Sequence, residues 1–287
     1  MEYWFSEYHT ENVKFSVKVD RHLYSSETDL GRVDIFDSPE FGRFLAVDGY
    51  IIFTERDEFI YDEMLSHVPM AVHPNPKNIL VFGSGDGGVV EELLKYQDVE
   101  RIDLIEVNDG VVEACRQFFP EIARSLDDPR VTVYTENALR FIRHIEHEYD
   151  IIIVDSAGFY GPGESLLSRE FYGSCYKALK DDGIMVNQHQ SPFYDEDRRE
   201  TQGAHKRIIE NFPISRVYQA HIPTYPSGYW LFGFASKKYH PVANLNATKW
   251  NSLGINTNYY TTRLHVGSFA LPAYVEHMLE HVESIRD

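Results

Sequence analysis

A glycine-rich turn around one aspartate is the stretch of this sequence with the most evident chemical potential. Residues 81–88 read Val-Phe-Gly-Ser-Gly-Asp-Gly-Gly and continue the apolar run 78–82. An apolar strand that ends in glycines is typical of nucleotide binding in a doubly wound sheet, because glycine lets the backbone approach a ligand. A loop that binds phosphate through backbone N–H groups needs no carboxylate. Asp86 therefore favours a positively charged nucleoside, such as a sulfonium compound, while an ordinary tight turn also explains the glycines.

Two more acidic residues follow predicted strands in the same region. Glu106 lies near the end of the predicted strand 101–107, about 20 residues beyond the glycine loop, where an acidic residue commonly binds ribose. Asp155 lies near the end of the predicted strand 150–156, so it should reach the same sheet edge as Asp86. Two carboxylates that face one pocket suit a bound sulfonium or ammonium ion, because a cation relieves their repulsion. The alternative is that Asp155 caps a helix or ends its strand in solvent.

Three polar side chains and one loop are further candidates. Asn137, just after the predicted strand 131–136, either hydrogen-bonds an adenine edge or caps the next helix. Tyr61 and Tyr225 suit a cationic pocket because each offers a π face and a hydroxyl, but most of the 19 tyrosines must be packing residues. The glycine-rich segment 157–163 is either a lid over the site or an ordinary surface loop.

Alternating strands and helices must position these residues. Helical periodicity, as at residues 110–118, separates five predicted strands, at 78–83, 101–107, 131–136, 150–156 and 183–189. This alternation predicts the α/β class, with a parallel sheet covered by helices on both faces. Residues 214–222 and 229–236 should form an antiparallel hairpin that closes the sheet. Residues 271–285 are predicted to form a helix.

The N-terminal part has a different pattern, one of strands and turns. Strands are predicted at 15–19, 32–36 and 44–47, which indicates a small antiparallel β unit. Thr54 is expected to cap the following helix, with Asp57 at its third position.

Composition limits the classes of function. A net charge of −18 argues against a nucleic-acid partner and agrees with cationic small ligands, although acidity also simply maintains solubility. No apolar run is long enough for a membrane helix and no signal-like segment is visible, so a cytoplasmic protein without membrane contact is expected. Cys115 and Cys175 lack metal-ligand spacing and are predicted to be buried free thiols. The 13 histidines form no recognisable metal motif, so no metal site is predicted, and His189 is interpreted as a strand-end residue.

Taken together, these residues resemble the spermidine synthase (polyamine aminopropyltransferase) family over essentially the whole chain. The motifs that carry the resemblance lie at residues 4–7, 47–49, 54–61, 63–64, 73–76, 83–88, 155–156, 161–162 and 222–228. The resemblance implies an N-terminal β-strand domain at residues 1–54 and a Rossmann-like, methyltransferase-type catalytic domain at residues 55–287. It also implies a homodimer or homotetramer.

The resemblance also implies a reaction and the residues that perform it. An amine would attack the aminopropyl carbon of decarboxylated S-adenosylmethionine, which is a co-substrate, and no cofactor or metal would be needed. The donor would be bound by Gly83, Gly85, Asp86, Gly87, Glu106, Asn137, Ala138 and Asp155. Asp155 would also be the base, with Tyr61 and Tyr225 assisting through hydrogen bonds. The acceptor would be bound by Tyr61, Asp62, Gly158, Gln190 and Tyr225.

Several departures from the family pattern cluster around the expected pocket. The family has a carboxylate at Gly158, which anchors the distal ammonium of putrescine, and commonly an acid at Gln190. Asp62 stands where histidine or glutamine is usual. The smaller departures are Ser84 for glycine, Asn108 and Asn137 for aspartate, Ile52 for glutamine, and no glutamine near residues 30–31.

The resemblance implies putrescine or a related polyamine or agmatine-like amine as the acceptor. Because Gly158 and Gln190 remove negative charge from the acceptor end, dicationic putrescine is expected to bind less tightly unless Asp62 compensates, and a longer or less charged amine also suits the pocket. A carboxylated acceptor, an intact S-adenosylmethionine donor, methyl transfer and a catalytically silent nucleoside- or amine-binding protein remain the alternatives.

Overall fold

Thirteen strands and ten α-helices are present in the computed structural model, which describes residues 2–28, 30–155 and 166–283. The strands are β1 (Tyr3–Thr10), β2 (Val13–Val19), β3 (Arg21–Thr28), β4 (Gly31–Ser38), β5 (Gly42–Val47), β6 (Tyr50–Thr54), β7 (Asn78–Gly83), β8 (Arg101–Ile105), β9 (Val131–Tyr134), β10 (Tyr149–Asp155), β11 (Leu179–Gln188), β12 (Ile214–His221) and β13 (Tyr229–Ser236). The helices are α1 (Glu58–Val72), α2 (Gly88–Leu94), α3 (Asp109–Phe118), α4 (Pro120–Ala123), α5 (Ala138–Ile142), α6 (Arg169–Ala178), α7 (Asp195–Ile209), α8 (Ala247–Ser252), α9 (Thr262–Ser268) and α10 (Ala273–Glu283).

The N-terminal strands form two antiparallel sheets. β1 and β2 are a hairpin, and β3 to β6 form a four-stranded sheet in chain order. The three predicted strands are confirmed as parts of β2, β4 and β5, whereas β1, β3 and β6 were not predicted. Val33 and Leu45 of the four-stranded sheet pack against Cys115 of α3. The sheet is therefore attached to the helical layer of the larger unit.

The central sheet has seven strands in the order β12-β13-β11-β10-β7-β8-β9. The strands β7 to β11 are parallel, and β13 and β12 add an antiparallel edge, which confirms both the parallel sheet and its closing hairpin. Along β10, Ile151 and Ile153 enter one hydrophobic core while Ile152 and Val154 enter another. Both faces of the sheet are covered, which explains the continuous apolar run of this strand.

The register of the parallel strands places the acidic residues at one edge. Asp155 of β10 pairs with Gly83 of β7, and Phe82 pairs with Ile105 of β8. Asp155 is itself one of these paired residues, and the glycine loop and Glu106 come directly after Phe82 and Ile105 in the chain. Ligands bind at this carboxyl edge in open α/β sheets.

The predicted start of α1 is wrong. Thr54 is the last residue of β6 and its hydroxyl donates to Oδ1 of Asp57 at 2.6 Å, while α1 begins only at Glu58. Asp57 is the residue before the helix, yet its side chain makes no capping bond. The carboxylate accepts hydrogen bonds from other parts of the chain, which local sequence cannot reveal.

The structure also shows the state of the two cysteines and the character of the helices. Cys115 and Cys175 are buried free thiols, as predicted. Within the described ranges, no helix combines the length and the apolar character that crossing a bilayer requires.

Candidate active site

A cavity of about 730 Å³ opens at the carboxyl edge of the central sheet. Its walls come from the ends of β7, β8 and β10, from α1, from the loop before β13, from the hairpin β1–β2 and from the first turns of α7. Acidic side chains far outnumber basic ones in this lining. In the described part of the chain its basic members are Arg199 and His9, and His9 lies 3.0 Å from Asp197. The cavity therefore favours cationic ligands.

The glycine loop brings its backbone to the cavity wall through unusual conformations. Gly83 and Ser84 have positive φ angles of 83° and 62°, which a serine rarely adopts. A Cβ atom at Gly85 would lie 2.7 Å from Cγ of Glu106, so this position needs glycine. Gly87, with φ of 97°, makes the turn into α2 and is not among the described residues that line the cavity. Of the three predicted loop glycines, Gly83 and Gly85 thus reach the cavity.

Glu106 and Asn137 lie on the donor side of the cavity. Glu106 accepts hydrogen bonds from the backbone N–H groups of Gly85, at 3.2 Å, and Asn108, at 2.8 Å. Burial raises its pKa to about 7, against these hydrogen bonds. Asn137 caps α5 by accepting from the N–H of Arg140 at 3.0 Å, and it also lines the cavity. Capping uses its oxygen, so its amide N–H₂ can still face a ligand.

Four carboxylates of the cavity, which we call the inner carboxylates, lie close enough to affect one another's charge. Asp86 follows β7, Asp155 ends β10, and Glu58 and Asp62 lie one turn apart on α1. Burial raises the pKa of Asp155 to about 7 and that of Glu58 to about 8, and the charge of Asp86 adds to both shifts. Burial likewise raises the pKa values of Asp86 and Asp62. A bound cation would relieve this repulsion and favour the charged carboxylates.

The hydroxyl groups of the two predicted tyrosines both donate hydrogen bonds within the protein. Tyr61 donates to Oδ1 of Asp155 at 2.5 Å, and Tyr225 donates to the carbonyl of Ile52 at 2.8 Å. Their ring centroids lie 5.7 Å apart, and both side chains line the cavity. Each hydroxyl oxygen therefore has lone pairs to offer but no free proton. Such an arrangement accepts hydrogen bonds from an ammonium group.

The remaining predicted site residues divide into two groups. Asp62, Gln190 and Ala138 line the cavity. Gly158 lies outside the described residues, as does the whole candidate lid, residues 157–163.

Several charged or titratable residues of the cavity were not predicted from the sequence. Glu58 belongs to the same face of α1 as Asp62, and that spacing of four residues was a usable signal. Glu7 and His9 come from β1, whose place beside α7 had no local signal. In the described ranges, no group of three or more histidine, cysteine and acidic residues has the arrangement of a metal site.

Comparison with known families identifies this arrangement. The spermine/spermidine synthase domain model matches residues 58–247, and the spermidine synthase tetramerisation domain model matches residues 3–55. The first match alone covers more than half of the chain. The chain belongs to the spermine/spermidine synthase family.

Individual members of the family are similar over nearly the full length. A polyamine aminopropyltransferase of Clostridium perfringens (strain SM101 / Type A) is 58% identical over 283 residues, which are 99% of this chain and 100% of the relative. A crystal structure of spermidine synthase in complex with the transition state analogue AdoDATO has a TM-score of 0.94 at 42% identity and covers 97% of this chain and 95% of its own. Spermidine synthase from Thermotoga maritima has a TM-score of 0.91 at 41% identity, with coverages of 97% and 94%.

These matches bear on the predictions made from the sequence. The α/β fold with a methyltransferase-type domain and an N-terminal antiparallel β domain is confirmed. The predicted class of enzyme, an aminopropyltransferase of the spermidine synthase family, is confirmed as well.

Proposed function

We propose that this spermidine synthase family enzyme transfers the aminopropyl group of decarboxylated S-adenosylmethionine to an amine, which yields a polyamine and methylthioadenosine. The observation that carries the proposal is the position of Asp155. Its carboxylate faces the same cavity as Asp86 and accepts a hydrogen bond of 2.5 Å from Tyr61. Paired carboxylates match a donor tail that ends in an ammonium group, and they repel the carboxylate of intact S-adenosylmethionine.

The donor lies along the edge formed by β7, β8 and α5. Glu106 binds the ribose hydroxyls, Asn137 and Ala138 contact the adenine, and Gly83 and Gly85 allow the backbone to approach the nucleoside. Asp86 and Asp155 hold the aminopropyl ammonium. All of these residues line the one cavity, which supports their assignment to a single ligand.

The reaction is a direct displacement. The nitrogen lone pair of the acceptor forms the new C–N bond at the aminopropyl carbon next to sulfur. The C–S bond breaks and its electron pair moves to sulfur, which changes from a sulfonium to a neutral thioether. Asp155 takes the proton that the acceptor nitrogen loses. A carboxylate with a pKa of about 7 is suited to this step, because a large share of it is ionised at neutral pH and the ionised form is basic enough to accept a proton.

The acceptor occupies the end of the cavity near Tyr61, Asp62, Gln190 and Tyr225. The two tyrosine oxygens accept hydrogen bonds from its nitrogen, since their hydroxyl groups already donate hydrogen bonds to Asp155 and to the carbonyl of Ile52. Asp62 also lines this end, and a bound cationic amine favours its charged form against the burial that raises its pKa. We propose that the acceptor is putrescine or a related polyamine or agmatine-like amine, and that Gly158 belongs to its binding region.

Product analysis tests this proposal. The enzyme is incubated with decarboxylated or intact S-adenosylmethionine and a panel of amines, and products are identified by mass spectrometry. Methylthioadenosine together with an amine that has gained an aminopropyl group is expected from the decarboxylated donor. Formation of S-adenosylhomocysteine and a methylated amine would contradict the proposal, and so would the absence of any product from all amines.

We also propose that the chain works as a homodimer or homotetramer through its N-terminal domain, residues 1–54. Tyr3, Trp4 and Tyr8 of β1 are each more than half exposed, and a tetramerisation domain model matches this region. Light scattering should give a mass of two or four chains. Replacing Trp4 and Tyr8 with serine should lower that mass, and a monomer before substitution would contradict the assignment.

A further inference from the structure

The buried carboxylate of Asp57 connects the start of α1 to the loop that carries Tyr225. Asp57 is 4% exposed. Its Oδ2 accepts hydrogen bonds from the backbone N–H of Thr224 at 3.0 Å and from the Thr224 hydroxyl at 2.7 Å. Its Oδ1 accepts from Thr54 at 2.6 Å. Three donors thus satisfy the hydrogen-bonding capacity of this carboxylate. It makes no helix-capping bond, and two of its three hydrogen bonds come from Thr224 of the loop.

The loop of residues 222–228 holds Tyr225 between two anchors. Thr224, the adjacent residue, is 1% exposed and bound to Asp57 on one side. On the other side, the Tyr225 hydroxyl donates to the carbonyl of Ile52 in β6 at 2.8 Å. The loop itself is closed by bonds from the Tyr225 N–H to Ile222 and from the Gly228 N–H to Tyr225. The two anchors lie close together in the chain, Ile52 within β6 and Asp57 immediately before α1.

Tyr225 in turn forms part of the wall around the reacting groups. Its ring lies 5.7 Å from Tyr61, whose hydroxyl binds Asp155, and 4.8 Å from Trp230. A shift of the loop would move the Tyr225 oxygen relative to the base. Displacements of about 1 Å at a reacting centre cost up to roughly 100-fold in rate.

We propose that Asp57 is a positioning residue for the amine acceptor: through Thr224 it fixes the loop that places the Tyr225 hydroxyl opposite Tyr61 and Asp155. Asp57 reaches the cavity wall, but both of its carboxylate oxygens are bound, to Thr54 and Thr224, so it acts through the loop and not as a ligand of the amine. The inference rests on the proposed function, because it assigns Tyr225 to the acceptor, and it deepens that function by naming what orients the acceptor end. It also gives the N-terminal sheet a part in catalysis, since β6 supplies both Thr54 and the Ile52 carbonyl.

The test is a double-mutant cycle between the loop anchor and the tyrosine. Thr224→Val removes the hydroxyl that binds Asp57, Thr224→Ser keeps it, and Tyr225→Phe removes the hydroxyl being positioned. We expect Thr224→Val to lower kcat/KM for the amine by about tenfold, the loss of a hydrogen bond to a charged group. Donor affinity should stay within about twofold, and Thr224→Ser should retain most of the activity.

The cycle separates positioning from general stability. In the Tyr225→Phe background, Thr224→Val should have little further effect, because the hydroxyl that it displaces is gone. Independent, multiplying losses in the two backgrounds would overturn the inference while leaving the proposed function intact. If Tyr225→Phe alone leaves turnover unchanged, the role of Tyr225 and the inference fail together. Asp57→Asn should act in the same direction as Thr224→Val, and where it fails to fold, the Thr224 variants decide the question.

Discussion

The hydroxyl of Tyr61 donates a hydrogen bond of 2.5 Å to Oδ1 of Asp155. The two residues are 94 positions apart and come from α1 and β10. Burial raises the pKa of Asp155, with the charge of Asp86 adding to the effect, and the bond from Tyr61 lowers it, so that the value is about 7. Tyr61 therefore has two roles: it orients the carboxylate and favours its charged form.

Asp155→Asn should lower kcat by about 100- to 10,000-fold, the usual contribution of a general base. Donor binding should weaken far less, because Asp86 remains. Single-turnover kinetics and a donor titration measure the two effects separately. Asp98→Asn is the matched control, since it removes the same charge from an exposed position that does not line the cavity. Unchanged turnover of Asp155→Asn would exclude its role as the base.

Tyr61→Phe should shift the pH dependence of the reaction. In the wild type, kcat/KM should fall as pH decreases through about 7, because protonated Asp155 cannot accept a proton. Removing the hydrogen bond destabilises the charged carboxylate and raises its pKa, so this acidic limb should move upward by roughly one pH unit. An unshifted or lowered limb in Tyr61→Phe would show that the rate reports another group.

Gly158→Asp should improve the use of putrescine. It restores the family carboxylate that would face the distal ammonium, and a hydrogen bond to a charged group contributes about 1.5 to 3 kcal/mol. The KM for putrescine should fall by roughly tenfold or more. Gly158→Asn, of the same size but uncharged, is the control. Equal effects of the two substitutions would contradict an acceptor anchor at this position.

Stability without ligand should decrease as pH rises. The carboxyls of Glu58 and Asp155 have folded-state pKa values of about 8 and 7, above ordinary values of 4.5 and 3.8. Between these limits the folded state binds more protons than the unfolded state, so acid favours folding at these groups and alkali disfavours it. Each pKa unit corresponds to about 1.4 kcal/mol, so shifts of this size at two groups bring the combined effect to at most on the order of 10 kcal/mol.

Cationic donor should reverse that loss. Thermal unfolding is followed at pH 5.5 and pH 8 with decarboxylated S-adenosylmethionine, and with methylthioadenosine as the uncharged control. The donor should raise the Tm more at pH 8, where the carboxylates are charged, whereas methylthioadenosine should act similarly at both values. A larger donor effect at pH 5.5 would contradict the assignment of the inner carboxylates to a cation.

Much of the central sheet could be predicted because its signals are local. The bounds of β7 and β13 agree with the prediction to the residue, since apolar runs between glycine, proline and serine mark both ends. The carboxyl-edge rule then located Asp86, Glu106 and Asp155 correctly around one cavity. Gly87 shows the limit of motif reasoning, because a glycine of the loop serves the turn into α2 instead of the cavity.

Residues whose roles depend on distant partners escaped the sequence. His9 meets Asp197 across 188 positions, which brings β1 to the cavity without any local pattern. Thr54 resembled a helix cap by spacing alone, but its hydroxyl donates to the Asp57 carboxylate, which Thr224 also binds. Tertiary contacts of this kind override local preference.

The sequence by itself determined the alternation of strands and helices in the central sheet and the presence of an acidic edge suited to a cation, because periodicity, glycine content and charge are properties of short segments. Only the tertiary structure decided that Glu58 and Asp62 lie in the same cavity as Asp86 and Asp155. It also decided that the hydroxyls of Tyr61 and Tyr225 both donate hydrogen bonds within the protein. These relationships depend on strand register and on the packing of elements far apart in the chain, where distances of a few ångströms decide which groups share a proton or repel.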